Sequence, residues 1–141
     1  MLRDNDRQVV KQIVPNASAS GAMTSETIDG TGFGRARFIF SFGANSGTTA
    51  ALSAGIGAWN ASTSGATFSA VSGASLAAVS SGVMSKNVMV IDTVISPSSP
   101  WLKVSGGSIL STAIAHSVVV ELYQGVSNPP THSEQQIVTV G

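Results

Sequence analysis

Cysteine is absent from the 141-residue chain, which removes disulfides, thiolate nucleophiles and thiolate metal sites together. Charge is scarce: Asp, Glu, Lys and Arg make up 10% of the residues, where globular domains carry about 25%. Seven cationic side chains balance seven carboxylates, for a formal net charge of zero. No basic stripe is left over to serve as an electrostatic footprint for nucleic acid. Long apolar runs are also missing, and no segment approaches the ~20 apolar residues of a helical membrane span. The first residues carry Arg3, Asp4, Asp6 and Arg7 where a secretory leader needs an apolar stretch. The chain is therefore expected to be made in a cytoplasm and not exported by that route. The sequons at Asn16 and Asn60 then read as chance.

What the chain has instead is small and uncharged. Serine and threonine together number 34, alanine 17 and glycine 15, so the polar faces are built from short side chains that cost little to desolvate. Surfaces buried against a partner are depleted in Lys, Glu and Asp at their centres, and near-zero net charge favours association over colloidal repulsion. The length fits a single domain spanning 1–141, with one core.

Hydrophobic periodicity is close to two wherever it can be read, and no helix stands out. Phe38, Phe40 and Phe42 share one face of a strand, with Arg37, Ile39 and Ser41 on the other. Beyond the turn at 43–47, residues 50–58 read as a returning strand, which predicts a hairpin-like pair. Residues 67–71 and 75–79 are two short strand candidates in a Ser/Gly/Ala-rich stretch. In 86–95, Val88, Val90, Asp92 and Val94 oppose Met89, Ile91, Thr93 and Ile95, a pattern that predicts burial on both sides. A loop at 96–100 follows, then a strand at 101–104 closed by Gly106 and Gly107. The longest alternation runs over 113–123, with Ile114, His116, Val118, Val120 and Leu122 in one row. Turns every 8–12 residues or so are the signature of an all-β antiparallel sandwich or barrel. Residues 1–30 read as an N-terminal arm and first strands, with a strand at 7–14 and a loop at 15–21. Residues 31–124 read as the core, and 125–141 as a C-terminal arm. Each arm is expected to pair with the parent sheet or to join a neighbouring subunit by strand addition.

Residues able to carry chemistry are few. His116 lies in an apolar row and His132 in a proline-flanked loop, so a packed or rim histidine outweighs a catalytic one. A serine triad assembled from His116 and Asp92 lacks a nucleophile-elbow pattern. The carboxylates Glu26, Asp29, Asp92, Glu121 and Glu134 are scattered, so neither a metal centre nor a glycosidase pair is nominated. The segment Gly30-Thr31-Gly32-Phe33-Gly34 lacks the lysine and helix of a phosphate-binding loop and reads as a turn entering the Phe38 strand. An enzyme is not expected, and neither is a cofactor or metal. Trp59 and Trp101 either anchor a partner or cap the open ends of the core, the second being favoured. Arg35 and Arg37 are placed to pair with Asp29 or with a partner's carboxylate.

This organisation resembles the small cement, or decoration, proteins of tailed-bacteriophage capsids, among them jelly-roll members. The resemblance is carried by Arg37-Phe38-Ile39-Phe40-Ser41-Phe42-Gly43 with the Ser46-Gly47-Thr48-Thr49 turn, Ala66-Thr67-Phe68-Ser69-Ala70-Val71, Val88-Met89-Val90-Ile91-Asp92 and Pro100-Trp101-Leu102-Lys103-Val104. It covers about residues 33–123 and leaves both arms outside. What it implies is a single-domain β-sandwich of jelly-roll type that binds the outer surface of an assembled capsid and bridges neighbouring major capsid proteins. Synthesis in the host bacterial cytoplasm and self-association as a homodimer or other symmetric oligomer go with that reading, without nucleic-acid or membrane partners. The expected interface residues are Arg3, Arg7, Val9, Lys11 and Ile13 in the N-terminal arm, Trp59 and Trp101, and Gln135, Ile137 and Val138 in the C-terminal arm. The alternative is a carbohydrate-binding or host-attachment jelly-roll module on the virion, with a tryptophan stacking on sugar rings.

Overall fold

The computed structural model describes residues 9–24, 26–42, 51–52, 56–77 and 88–125. Eight strands follow one another with no helix among the described residues: β1 (Val9–Thr24), β2 (Ile28–Asp29), β3 (Phe33–Phe42), β4 (Ala51–Leu52), β5 (Ile56–Ala61), β6 (Ser69–Leu76), β7 (Val88–Val94) and β8 (Trp101–Gly125). Every pairing between them is antiparallel. The expected all-β antiparallel sandwich is what the chain forms.

Its two layers share one strand. The hydrogen-bonded order is β6-β5-β8-β3-β7, with β1, β2 and β4 also on β8. The first residues of β8 pair with β5, Ala58 opposite Val104 and Trp59 opposite Lys103. Its last residues pair with β3, Phe38 opposite Val120 and Arg37 opposite Glu121. One layer is thus β6-β5-β8 and the other β1-β8-β3-β7, and β7 packs against β5 and β6 across the interior.

The core between the layers follows from strand alternation. Ala36, Phe38, Phe40 and Phe42 of β3, Ile91 of β7, Ile56 and Ala58 of β5, and Leu102, Val104, Val118, Val120 and Leu122 of β8 form one buried cluster. Each large apolar side chain buried there contributes roughly 1.5–3 kcal/mol of transfer free energy. The three-phenylalanine row and the row of Val118, Val120 and Leu122 lie inward as the sequence pattern requires. His116 is the inward residue preceding Val118, buried with its ring tilted against Phe42 at 6.5 Å between centroids.

Several expectations are corrected. β3 and β5 do not form a hairpin: β3 lies between β7 and β8, whereas β5 lies between β6 and β8. The long-range partner β8 outcompetes the local one. Gly106 and Gly107 do not end a strand, because β8 runs on to Gly125 with β1 along most of its length and Gly106 opposite Ile56. The segment 15–21 is not a loop, since β1 continues through it to Thr24. Register shifts at Gln12/Val14, Asn16/Ala19, Ala19/Gly21 and Ala22/Met23 absorb its irregular residues. Pro15 is compatible with a strand there because β1 pairs with β8 alone among the described residues, leaving an edge where a missing N–H is tolerated. Residues 67–71 and 75–79 are not two strands. A single β6 covers 69–76, and Gly73, at φ 75°, sits within it.

The turn from β2 into β3 shows why glycine is required there. Phe33 N donates to Gly30 O at 3.1 Å, and Gly32 has φ 87°, a left-handed conformation that side chains disfavour. Asp29 Oδ1 accepts from both the N–H and the hydroxyl of Thr31, a local Asx-type brace. The loop at 96–100 is likewise closed on itself, Ser99 N donating to Ser96 O at 2.9 Å.

Candidate functional site

Two outer faces carry the residues that the core does not use. On the β8-β3-β7 layer, alternation turns Arg35, Arg37, Ile39 and Ser41 of β3 outward. The register aligns them with Val94, Asp92, Val90 and Val88 of β7 on one side and with Tyr123, Glu121, Val119 and Ser117 of β8 on the other. The result is a ladder of three-residue rows, ionic at one end and apolar in the middle.

At the ionic end, Asp92 is the hub. Its Oδ1 accepts from Arg35 Nε and Nη2 at 2.9 and 2.7 Å, and its Oδ2 from Arg37 Nε and Nη2 at 3.2 and 3.1 Å. The Tyr123 hydroxyl donates to Oδ2 at 2.6 Å and accepts from Arg35 Nε at 2.9 Å. Arg37 Nη1 reaches Glu121 Oε2 at 3.4 Å, and its guanidinium carbon lies 5.2 Å from the Tyr123 ring centroid. Both arginines pair with Asp92 and not with the expected Asp29, which ends β2 opposite Trp101 and braces Thr31. Two cations and two anions cancel within one patch.

Partial burial pushes the Asp92 carboxyl up, but the Tyr123 hydroxyl and the two guanidiniums outweigh it and hold its pKa below the ordinary carboxylate value. Stability from this cluster is therefore fully present above about pH 4, the ordinary Asp value, and fades as the pH falls through the lower folded value. With the carboxyl 28% exposed, solvent screening limits the worth of the cluster. Asp92→Asn should cost about 1 kcal/mol near neutral pH, the upper range for exposed pairs. Urea unfolding at pH 7 and pH 3 checks this: the gap between wild type and variant should shrink at the lower pH, and a gap of equal size at both would contradict it.

The apolar rows tell a different story from the sequence pattern. β7 is not buried on both sides. Ile91, Thr93 and Ile95 face the core, whereas Val88, Val90 and Val94 are 63%, 46% and 62% exposed. Among the described residues no layer packs on the outer side of β7. Ile39 stands half-buried beside Val90, with the half-buried Val119 on its other side. This patch was missed in the sequence because alternation separates the two faces of a strand without saying which one meets water.

The second outer face belongs to β5 and β8. Trp59 pairs with Lys103 in the register, and both alternate with buried residues, as does Trp101. Neither tryptophan belongs to the buried cluster. They lie half-buried on the outer face and do not cap the open ends of the core, because Ile56, Ala58, Leu102 and Val104 take the inward positions. Trp59 Nε1 donates to Ser105 O at 3.3 Å, and Lys103 Nζ sits 4.7 Å from the Phe68 ring centroid, a cation–π contact.

Of the other expected interface residues, Val9, Lys11 and Ile13 lie on β1, which pairs with β8 of its own sheet, Val9 opposite Leu122 and Lys11 opposite Val120. Arg3, Arg7, Gln135, Ile137 and Val138 lie outside the described residues. Asp92 and His116 point to opposite faces of their sheet, so they do not come together as a catalytic pair. Among the described residues no three His, Asp or Glu side chains gather as metal ligands.

The fold and its two outer faces define an antiparallel β-sandwich with a charge-cancelled, partly apolar ladder on one side and an aromatic platform on the other. No protein-family model matches the chain, and no curated sequence matches it. Among solved structures, the coat protein of tobacco streak virus is similar at 12% identity and a TM-score of 0.37, covering 99% of each chain.

Proposed function

We propose that this chain is a structural virion protein that binds the outer surface of an assembled phage capsid and stabilises it by bridging neighbouring major capsid proteins. The observation that carries this reading is the outer ladder of β7, β3 and β8. Its valines are exposed and its charges already neutralise one another, so a partner can bury it without stranding a charge. The sparse charge of the whole chain and the resemblance of its strand segments to phage cement proteins point the same way. The mechanism is additive, because a protein that binds only the assembled shell stabilises it by mass action, and repetition over a symmetric lattice multiplies a modest contact. No catalytic step is part of this reading.

A second reading rests on the other face. Trp59, Phe68 and Trp101 with Lys103 form a platform on which a sugar ring could stack, as a carbohydrate-binding or host-attachment module would require. Copy number and position in purified particles, from gel densitometry and cryo-electron microscopy, decide between the two. Hundreds of copies on the shell exterior are expected. A few copies at a tail or vertex, with reproducible glycan-array binding lost in Trp59→Ala, would move the assignment to the second reading, and absence from particles would end both.

A further inference from the structure

The outer face of β5 and β8 holds a positive charge that its aromatic surroundings fix in place without cancelling. Trp59 stands opposite Lys103 in the register, and Trp101 shares the face two residues earlier on β8. All three alternate with the buried Ala58, Leu102 and Val104, and each keeps part of its surface exposed. Lys103 Nζ lies 4.7 Å from the Phe68 ring centroid. A ring face attracts a cation through its quadrupole but carries no net charge of its own, so the ammonium is positioned and stays positive. Trp59 Nε1 donates to Ser105 O at 3.3 Å, which ties the indole to β8 beside that cation.

An occupant of this face has to offer a flat apolar surface to the indole and an anion to the ammonium. A pyranose that carries a carboxylate offers both. Its C–H face covers an aromatic ring, and its carboxylate accepts charge-assisted hydrogen bonds from Lys103. The ladder on the opposite side of the sandwich is different in kind, because there Asp92 and Glu121 already neutralise Arg35 and Arg37. Asp29 adds a direction. It stands opposite Trp101 with Oδ1 held by Thr31, so the face is negative at the Trp101 end and positive at the Trp59 end. The acid group of a bound sugar is thereby turned toward Lys103, and its hydroxyls toward Asp29. A stacked nucleobase fits less well, because single strands are held by a cationic groove that tracks the backbone, and the chain has a net charge of zero with no basic stripe.

We propose that this face binds an acidic sugar, with the ring on Trp59 and the carboxylate on Lys103. The proposal rests on the second reading above, that the face takes glycans, and names which kind. Trp59 and Trp101 are the two tryptophans of the chain, so intrinsic fluorescence of the full protein reports on the face directly. The probes are trigalacturonate and sialyllactose, each beside its methyl ester, which keeps the ring and loses the charge. At least one acid is expected to bind about fivefold more tightly than its ester, the worth of a solvent-screened ion pair. Lys103→Met keeps an apolar stem over Phe68 and drops the charge, and should bring acid and ester to equal affinity with the melting temperature little changed. Added salt should weaken the acid and spare the ester in the wild type, a check that needs no variant. Equal binding of both acids and their esters by the wild type would overturn the proposal and leave the glycan reading standing. No fluorescence response to any of the four would end both. Tighter binding of an oligothymidylate than of any sugar would also overturn it, by assigning the face to stacked bases.

Discussion

Phe38→Ala is expected to lower the unfolding free energy by about 3–5 kcal/mol, the range for deleting a large aromatic from a packed core. Phe38 has no exposed surface and stands between Ile91 of β7 and Val120 of β8, both buried. Neither neighbouring strand can slide inward to fill the space without breaking its own ladder, so the cavity stays. At an m-value of about 2 kcal/mol per molar, the urea midpoint should fall by about 2 M. Ile39→Ala, the adjacent change on the outer face, should cost much less because Ile39 is only half-buried. Equal losses at the two positions would mean that the inner and outer rows of β3 have been assigned wrongly.

Gly30→Ala should be the next most damaging of the changes considered, at about 1–3 kcal/mol. A methyl group there would come within 2.9 Å of both Pro100 O and Ile95 Cδ1. Ile95 is buried in the core, and Pro100 O is held by the Gly30 N–H at 3.0 Å, so neither can retreat freely. The small element β2 is tied to the start of β8 through this contact, together with the pairing of Ile28 with Leu102. The change therefore strains the joint between turn and layer. The melting temperature should drop by about 3 °C for each kcal/mol lost. Gly65→Ala serves as the comparison: its added methyl meets nothing within 4 Å, and its effect should stay within about 0.5 kcal/mol.

The sequence carried the inner face of the sandwich well and its connections poorly. Phenylalanines at 38, 40 and 42, and the row of Val118, Val120 and Leu122, alternate cleanly with smaller or polar residues, and a period of two has one structural meaning. Partner choice is not written in that period. Residues 50–58 read as a local return of β3, yet the better partner of β5 was β8, far away in sequence. Gly106 and Gly107 read as a stop because glycine is a poor strand former. Partners aligned along β8 supply the pairing that local propensity does not. Tertiary pairing also overrode the turn signals of Pro15 and Gly21, by shifting register instead of ending the strand.

The outer faces were legible only in part. Trp59 and Trp101 stand out in the sequence, and the structure places both half-buried and outside the core cluster. For Arg35 and Arg37 the sequence suggests Asp29 or a partner's carboxylate, and within the chain the carboxylate they meet is Asp92. The available signal was Asp92, a charge in an otherwise apolar alternation, which needs cations on an adjacent strand. Two arginines spaced i and i+2 on β3 were the matching pair. Exposure of Val88, Val90 and Val94 leaves no such trace, because alternating apolar residues look the same whether or not a layer covers their face.

The sharing of β8 by both layers governs when the protein can fold. β5, β3 and β1 all require β8, the last strand described, and Val9 near one end of the chain must find Leu122 near the other. Folding dominated by such distant pairings is slow, on the order of milliseconds to seconds. During synthesis neither layer can close until residues 101–125 have left the ribosome, so Phe38, Phe40 and Ile56 wait unsheltered while the rest is made. Nascent chains halted before residue 101 should therefore stay protease-sensitive and prone to aggregate, and the sandwich should appear in one late step.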